Sequence, residues 1–112
     1  MKVVVAIIKP FKLGDVHDAL HAIGVSGLTV YEAKGHGHQK GHSDIYRAVE
    51  YVAHYLSKLR IEVIAADERV DQIVATISAA ARTGQTGDGK IYVQAVENVV
   101  RIRTGEADEM AL

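Results

Sequence analysis

The sequence predicts a mixed α+β fold, and three observations carry that expectation. Val3 to Ile8 is a continuous, β-branched apolar run stopped by Lys9-Pro10, which suits a strand buried on both faces. The apolar period then changes from two to helical and back, twice, near residues 2–33 and 58–96. Between these strand–helix–strand units the pattern lapses from Gly35 to Ser57, a longer structureless stretch than the ~12–15 residues a compact domain normally tolerates.

The elements follow in order. After the first strand, Leu13, Val16, Leu20 and Ile23 recur at helical spacing, with Asp15 in the first turn and Gly24 placed as a stop. Leu28 to Ala33 alternates as a second strand. Beyond the irregular stretch, Leu59, Ile61, Val63 and Ala65 mark a third. Asp67 is placed to N-cap a helix carrying Val70, Ile73, Val74, Ile77 and Ala81. Arg82 to Lys90 is a glycine-rich turn, Ile91 to Val96 a fourth strand, and Asn98 to Arg103 an extra short C-terminal strand. The doubled unit is the pattern of the ferredoxin-like βαββαβ fold. Two helices cover one face of such a sheet. A first strand apolar at both parities therefore predicts that the other face is buried against another subunit, or under the long loop of a monomer.

Composition narrows the function classes. The 112 residues fit one domain, 1–112. Apolar residues at 48% and charged residues at 24% predict a packed core. There is no cysteine, so disulfides, thiolate metal sites and cysteine nucleophiles are excluded together. Thirteen basic against fourteen acidic residues leave a net charge of -1, which offers no general electrostatic grip on nucleic acid. No apolar run reaches the ~20 residues of a membrane helix, and the start is too short and wrongly bounded for a signal peptide. A cytoplasmic chain is the expectation.

Gly84-Gln85-Thr86-Gly87-Asp88-Gly89-Lys90-Ile91 satisfies G-x-x-x-x-G-K but puts Ile91 where a P-loop needs Ser or Thr for magnesium. A helix precedes it and a strand follows, the reverse of a P-loop. The physics nevertheless remains: closely spaced glycines let backbone N–H groups converge on an anion, and Lys90 adds a point charge. Arg101 and Arg103 alternate with Val100 and Ile102, so on a strand both guanidinium groups leave one face. Beside the glycine turn, a di- or triphosphate is an economical partner for them; a solvated edge strand is the plainer alternative. His36, His38 and His42 have a spacing that suits zinc or nickel, though no carboxylate or cysteine completes the set and Asp44 is the nearest, and His17 and His21, one helical turn apart, are placed to share a metal. No Ser-His-Asp or paired-carboxylate arrangement argues for catalysis. Residues 45–56, with three tyrosines and several aliphatics, look like a docking element.

Four motifs then resemble the PII nitrogen-regulatory signal-transduction family in order and separation. Ala6-Ile7-Ile8-Lys9-Pro10-Phe11-Lys12-Leu13 looks like its first strand and turn, and Gly37-His38-Gln39-Lys40-Gly41-His42 like the base of its T-loop. Thr83 to Ile91 is similar to its B-loop, and Arg101-Ile102-Arg103-Thr104-Gly105-Glu106 to its C-terminal loop. In this chain the three loops would span about 36–56, 82–90 and 102–112. The resemblance implies a non-enzymatic homotrimer that binds ATP or ADP between subunits and senses 2-oxoglutarate together with Mg-ATP. It implies nucleotide contacts from Ile7, Thr29, Gly35, Gly37, His38, Glu62, Ile64, Gly87, Asp88, Gly89, Lys90, Arg101 and Arg103. It implies 2-oxoglutarate contacts from Gln39, Lys40, Gly41, Lys58, Gly87 and Lys90, with Gln39 also on the Mg ion. Tyr51 would be the tyrosine that an uridylylating or adenylylating enzyme modifies. Targets would be an ammonium transporter or other nitrogen-metabolism proteins, reached through the T-loop. The apex reads Tyr46-Arg47-Ala48-Val49-Glu50-Tyr51, with Ala48 and Val49 where the family has glycine and a small residue. A trimeric metal-binding or metal-tolerance protein using the histidine-rich loop is the alternative function.

Overall fold

β1 (Lys2–Ile8) is one of the two inner strands of a four-stranded antiparallel sheet of order β2-β3-β1-β4, formed with β2 (Thr29–Gly35), β3 (Leu56–Ala65) and β4 (Lys90–Ala95). A computed structural model of the chain describes residues 1–36 and 55–112. The β-branched run sits where both backbone edges are hydrogen-bonded, with Val4 opposite Val63 on one side and Val93 on the other. A short 3-10 turn at Pro10–Lys12 leads into α1 (Leu13–Ala22), and another at Asp67–Arg69 leads into α2 (Val70–Ala81).

Alternation along the strands divides the sheet. Val4, Ala6 and Ile8 of β1 and Ile61, Val63 and Ala65 of β3 meet Val16 and Leu20 of α1 and Ile73, Ile77 and Ala81 of α2 in one core. Each fully buried Ile or Leu there contributes about 1.5–3 kcal/mol relative to an exposed position. On the opposite face, the register aligns Val5 with Glu62 and Tyr92, and Ile7 with Arg60 and Lys90. Val5 is fully buried, while Ile64, Tyr31 and Tyr92 are exposed. The first strand is thus deeply buried on one face and shielded only in part on the other. Arg60 pairs with Glu62 at 2.8 Å and lies 5.8 Å from the centre of the Tyr31 ring, so this open face is apolar with a charged seam.

Two local expectations are corrected. Asp67 does not cap α2. The helix begins at Val70 after the 3-10 turn, and the Asp67 carboxylate turns to the Met1 amino group at 3.0 Å and Lys2 at 3.4 Å. Two nearby ammonium groups outbid backbone N–H donors for the same oxygen, and they hold the Asp67 carboxyl below its usual pKa. The extra C-terminal strand is reduced to one bridge, Val100 to Ala107. Gly105 adopts φ of +73°, and the chain folds back so that Arg101 N–H donates to Glu106 and Gly105 N–H donates to Arg101, each at 2.8 Å. The local turn takes the backbone groups that a sheet edge would have used. Arg101 and Arg103 therefore do not share a strand face.

Candidate functional site

The glycine-rich turn between α2 and β4 is built around one carboxylate. Asp88 Oδ2 accepts the backbone N–H groups of Thr83 and Gly84, both at 2.9 Å. Asp88 Oδ1 accepts the Thr83 hydroxyl, and Lys9 Nζ stands 3.3 Å from that oxygen and 3.1 Å from Thr83 Oγ1. The Thr83 hydroxyl first, then the backbone N–H groups and Lys9, hold the Asp88 carboxyl far below the normal carboxylate range. The side chain of Asp88 is consequently turned into the loop. What the residue presents outward is backbone.

Gly87 and Gly89 both have φ near +90°, the left-handed region that costs other residues strain. At Gly89 a Cβ would also lie 1.7 Å from the Ile7 carbonyl oxygen. This contact brings Gly89 onto the end of β1, beside the Ile7–Lys90 pair of the β1–β4 register. Lys58, from β3, reaches across to donate to the Gly87 carbonyl at 2.6 Å. Gly35 packs against the Lys58 stem, where a Cβ would sit 3.0 Å from Cγ. Lys9, Lys58 and Lys90 thus surround a loop whose carboxylate is already committed, an arrangement that favours an anion.

Thr29, Glu62 and Ile64 lie elsewhere. They line a cleft of about 720 Å³ together with Arg101, Arg69, the Gly24–Leu28 connection and the C-terminal segment. Arg101 Nη2 donates to the carbonyls of Ala111 and Leu112 at 3.1 and 3.2 Å, and its Nη1 is 3.5 Å from Glu106. Arg103 follows in the exposed turn. Lys58 and Ile64 stand at opposite ends of β3, about 20 Å apart at the rise of a strand. Within one chain the nucleotide residues implied by the resemblance are therefore spread along the sheet. Gly35 and Gly87 to Lys90 gather at one end and Ile64 and Arg101 lie toward the other, while Ile7 and the paired Thr29 and Glu62, two places apart in register, lie between them.

Gly37, His38, Gln39, Lys40, Gly41 and Tyr51 lie outside the described residues, as does His42, so the histidine-rich loop is represented here by His36 alone. Sequence reading passed over Lys9 and Thr83. Their signal was parity and chain order: Lys9 continues the Ile7 face of β1, and Thr83 is the last hydroxyl before the glycines. Among the described residues no three His, Asp or Glu side chains converge as a metal site, and no helix is long and apolar enough to cross a membrane.

A model of the family described as nitrogen regulatory protein P-II matches residues 1–106. Over all 112 residues, and the whole of each relative, the chain is 59% identical to a nitrogen regulatory protein P-II of Rhizobium etli and 55% identical to the nitrogen regulatory protein GlnK of Escherichia coli K12. Its fold is similar to the crystal structure of Arabidopsis thaliana PII bound to citrate. The TM-score is 0.83 at 34% identity, covering 99% of this chain and 91% of that one. A sheet of this order, a glycine loop locked by Asp88 and a match across nearly the whole length point the same way: the chain belongs to the nitrogen regulatory P-II family, whose members are regulatory signal proteins rather than enzymes.

Proposed function

We propose that the chain acts as a homotrimeric sensor of ATP, ADP and 2-oxoglutarate, and that it regulates nitrogen-metabolism targets in the cytoplasm. The observation that carries this reading is that the Gly87 to Lys90 loop and the Arg101 cleft lie at opposite ends of one sheet. Rotational assembly brings one end of a protomer against the other end of its neighbour, so each interface acquires a complete site. The partly apolar open face around Val3, Val5, Ile64 and Tyr92 supplies surface for that contact.

The residues fit a nucleotide. The positive-φ glycines leave the Gly87 to Lys90 backbone bare enough for phosphate oxygens to approach, and Lys90 contributes charge. Asp88 would contribute through its N–H, since its carboxylate is engaged. Arg101 and Arg103 of the adjacent copy would complete the phosphate site, with Ile7, Gly35, Thr29, Glu62 and Ile64 around the base. Gly37 and His38 would add contacts from the loop.

Lys58 and Gly87 are adjacent, and with Lys90, Gln39, Lys40 and Gly41 they would hold 2-oxoglutarate. Gln39 would also ligate Mg²⁺, which supplies a shared cation for phosphate and keto acid. Citrate bound to the Arabidopsis relative is likewise a polycarboxylate, which supports an anionic effector. Because Gln39 lies at the root of the 36–56 loop, ligand occupancy would bias the loop between target-competent forms. The loop would engage an ammonium transporter or another nitrogen-metabolism protein, with membrane contact only through such a partner. Tyr51 would be the position open to an uridylylating or adenylylating enzyme, because a nucleotidyl group there adds bulk and charge to the docking surface.

Two measurements test this reading. Calorimetry should show ATP binding, and 2-oxoglutarate binding only when MgATP is present. A pull-down from cell extract should recover different partners with MgATP plus 2-oxoglutarate than with ADP. Failure of 2-oxoglutarate to bind at saturating MgATP overturns the sensor reading.

A further inference from the structure

Helix α1 carries a cluster that the nucleotide site does not use. His17 and His21 are one turn apart and exposed, while Val16 and Leu20 of the same helix are buried in the core. The two imidazoles lie parallel to within 6°, with centroids 6.3 Å apart. His17 Nδ1 is 3.2 Å from Asp18 Oδ1. An ionised carboxylate only accepts, so Nδ1 is the donor and the lone pair of His17 is left on Nε2. A carboxylate on the far nitrogen is the usual support of a metal-binding histidine. It fixes the tautomer and raises the basicity of the coordinating nitrogen.

We propose that His17 and His21 form a surface chelate for a borderline divalent cation of the Zn²⁺, Ni²⁺ or Cu²⁺ class. Imidazole nitrogen suits these ions, with bonds of about 2.0–2.1 Å for zinc. Parallel rings on adjacent turns need only rotate about their side-chain torsions for both Nε2 atoms to face one ion. No third protein ligand joins them among the described residues, so water completes the coordination and the ion exchanges freely. The chelate spans the last turns of α1. The next residue, Ile23, gives its carbonyl to Arg69 at 2.5 Å, and the Gly24–Leu28 connection forms one wall of the Arg101 cleft. A bound ion therefore stiffens the helix end from which that wall departs.

The test uses the full chain with His36, His38, His42 and His54 changed to Asn, which removes every other histidine. Titration with NiCl₂ by calorimetry should give one Ni²⁺ per chain, and added Ni²⁺ should raise the thermal midpoint. H17N and H21N should each weaken Ni²⁺ binding at least tenfold and abolish the midpoint shift. Both positions are solvent-exposed, and circular dichroism checks that the variants fold. Asp18→Asn should weaken binding about tenfold, as loss of a supporting carboxylate does elsewhere. Absence of Ni²⁺ binding by the protein that retains only His17 and His21 overturns the proposal. Binding that survives H17N or H21N unchanged also overturns it.

Discussion

Gly89 is the residue with the least freedom in the B-loop. Its φ of +92° strains any other side chain, and a methyl group would collide with the Ile7 carbonyl, which is backbone and cannot swing away. Gly89→Ala should therefore cost about 2 kcal/mol or more of stability, through strain at this dihedral plus displacement of β1 from β4. Urea unfolding measures that loss, and a midpoint equal to wild type would show that the loop shifts without penalty. Asp88 acts one residue earlier by a different force. Its folded pKa is lowered, so its contribution is complete above the unfolded value of about 3.9 and disappears as pH falls through the folded one. Asp88→Asn removes this linkage. The variant should be less stable than wild type at neutral pH, and the gap should narrow as pH falls below about 4. Urea midpoints at several pH values check the sign: a gap that widens in acid would mean the carboxylate does not staple the loop.

At the scale of elements, the strands and helices were legible because burial enforces period. Val4, Ala6 and Ile8 and the Val70 to Ala81 stripe could pack in only one way against each other. The two misreadings share a cause. Asp67 and the Asn98 to Arg103 segment follow local preference in the sequence, and each is redirected by a partner that preference does not encode, distant for Asp67 and five residues on for Arg101. Asp67 found the Met1 ammonium. Arg101 found Glu106 and the carbonyls of Ala111 and Leu112. The glycine turn was legible as a tight loop, yet the role of Asp88 was not, because a motif does not say which way a side chain turns. Lys9 escaped notice because its partners Thr83 and Asp88 are more than seventy residues away in sequence. For the 36–56 loop the expected behaviour is separable from the nucleotide cradle. Gln39→Ala should leave most ATP affinity in place and eliminate 2-oxoglutarate binding, since the Gly87 to Lys90 backbone would hold the phosphates without Gln39 while the keto acid would depend on Gln39 and its shared Mg²⁺. Calorimetry at saturating MgATP decides it, and undiminished 2-oxoglutarate binding removes Gln39 from the site.

The whole molecule raises the question of which chain supplies which half of a site. If each nucleotide takes Lys90 from one subunit of the proposed homotrimer and Arg103 from the next, Lys90→Ala and Arg103→Ala each damage every site of their own assembly. Each should lose about 1.5–3 kcal/mol of ATP binding, the range for hydrogen bonds to charged groups. Both should stay trimeric by sedimentation, because the open sheet face rather than these polar side chains would hold the subunits. Mixing makes the assignment decisive. When the two variants are unfolded together in equal amounts and refolded, chance places an intact Lys90 beside an intact Arg103 at about a quarter of the interfaces of a cyclic trimer. That fraction should recover wild-type ATP affinity, while neither variant refolded alone recovers any. The geometry of one chain motivates this expectation, since the Lys90 and Arg101 groups occupy opposite ends of the sheet. A site built within a single chain behaves otherwise: every subunit would still carry one defect, and no mixture would regain tight binding.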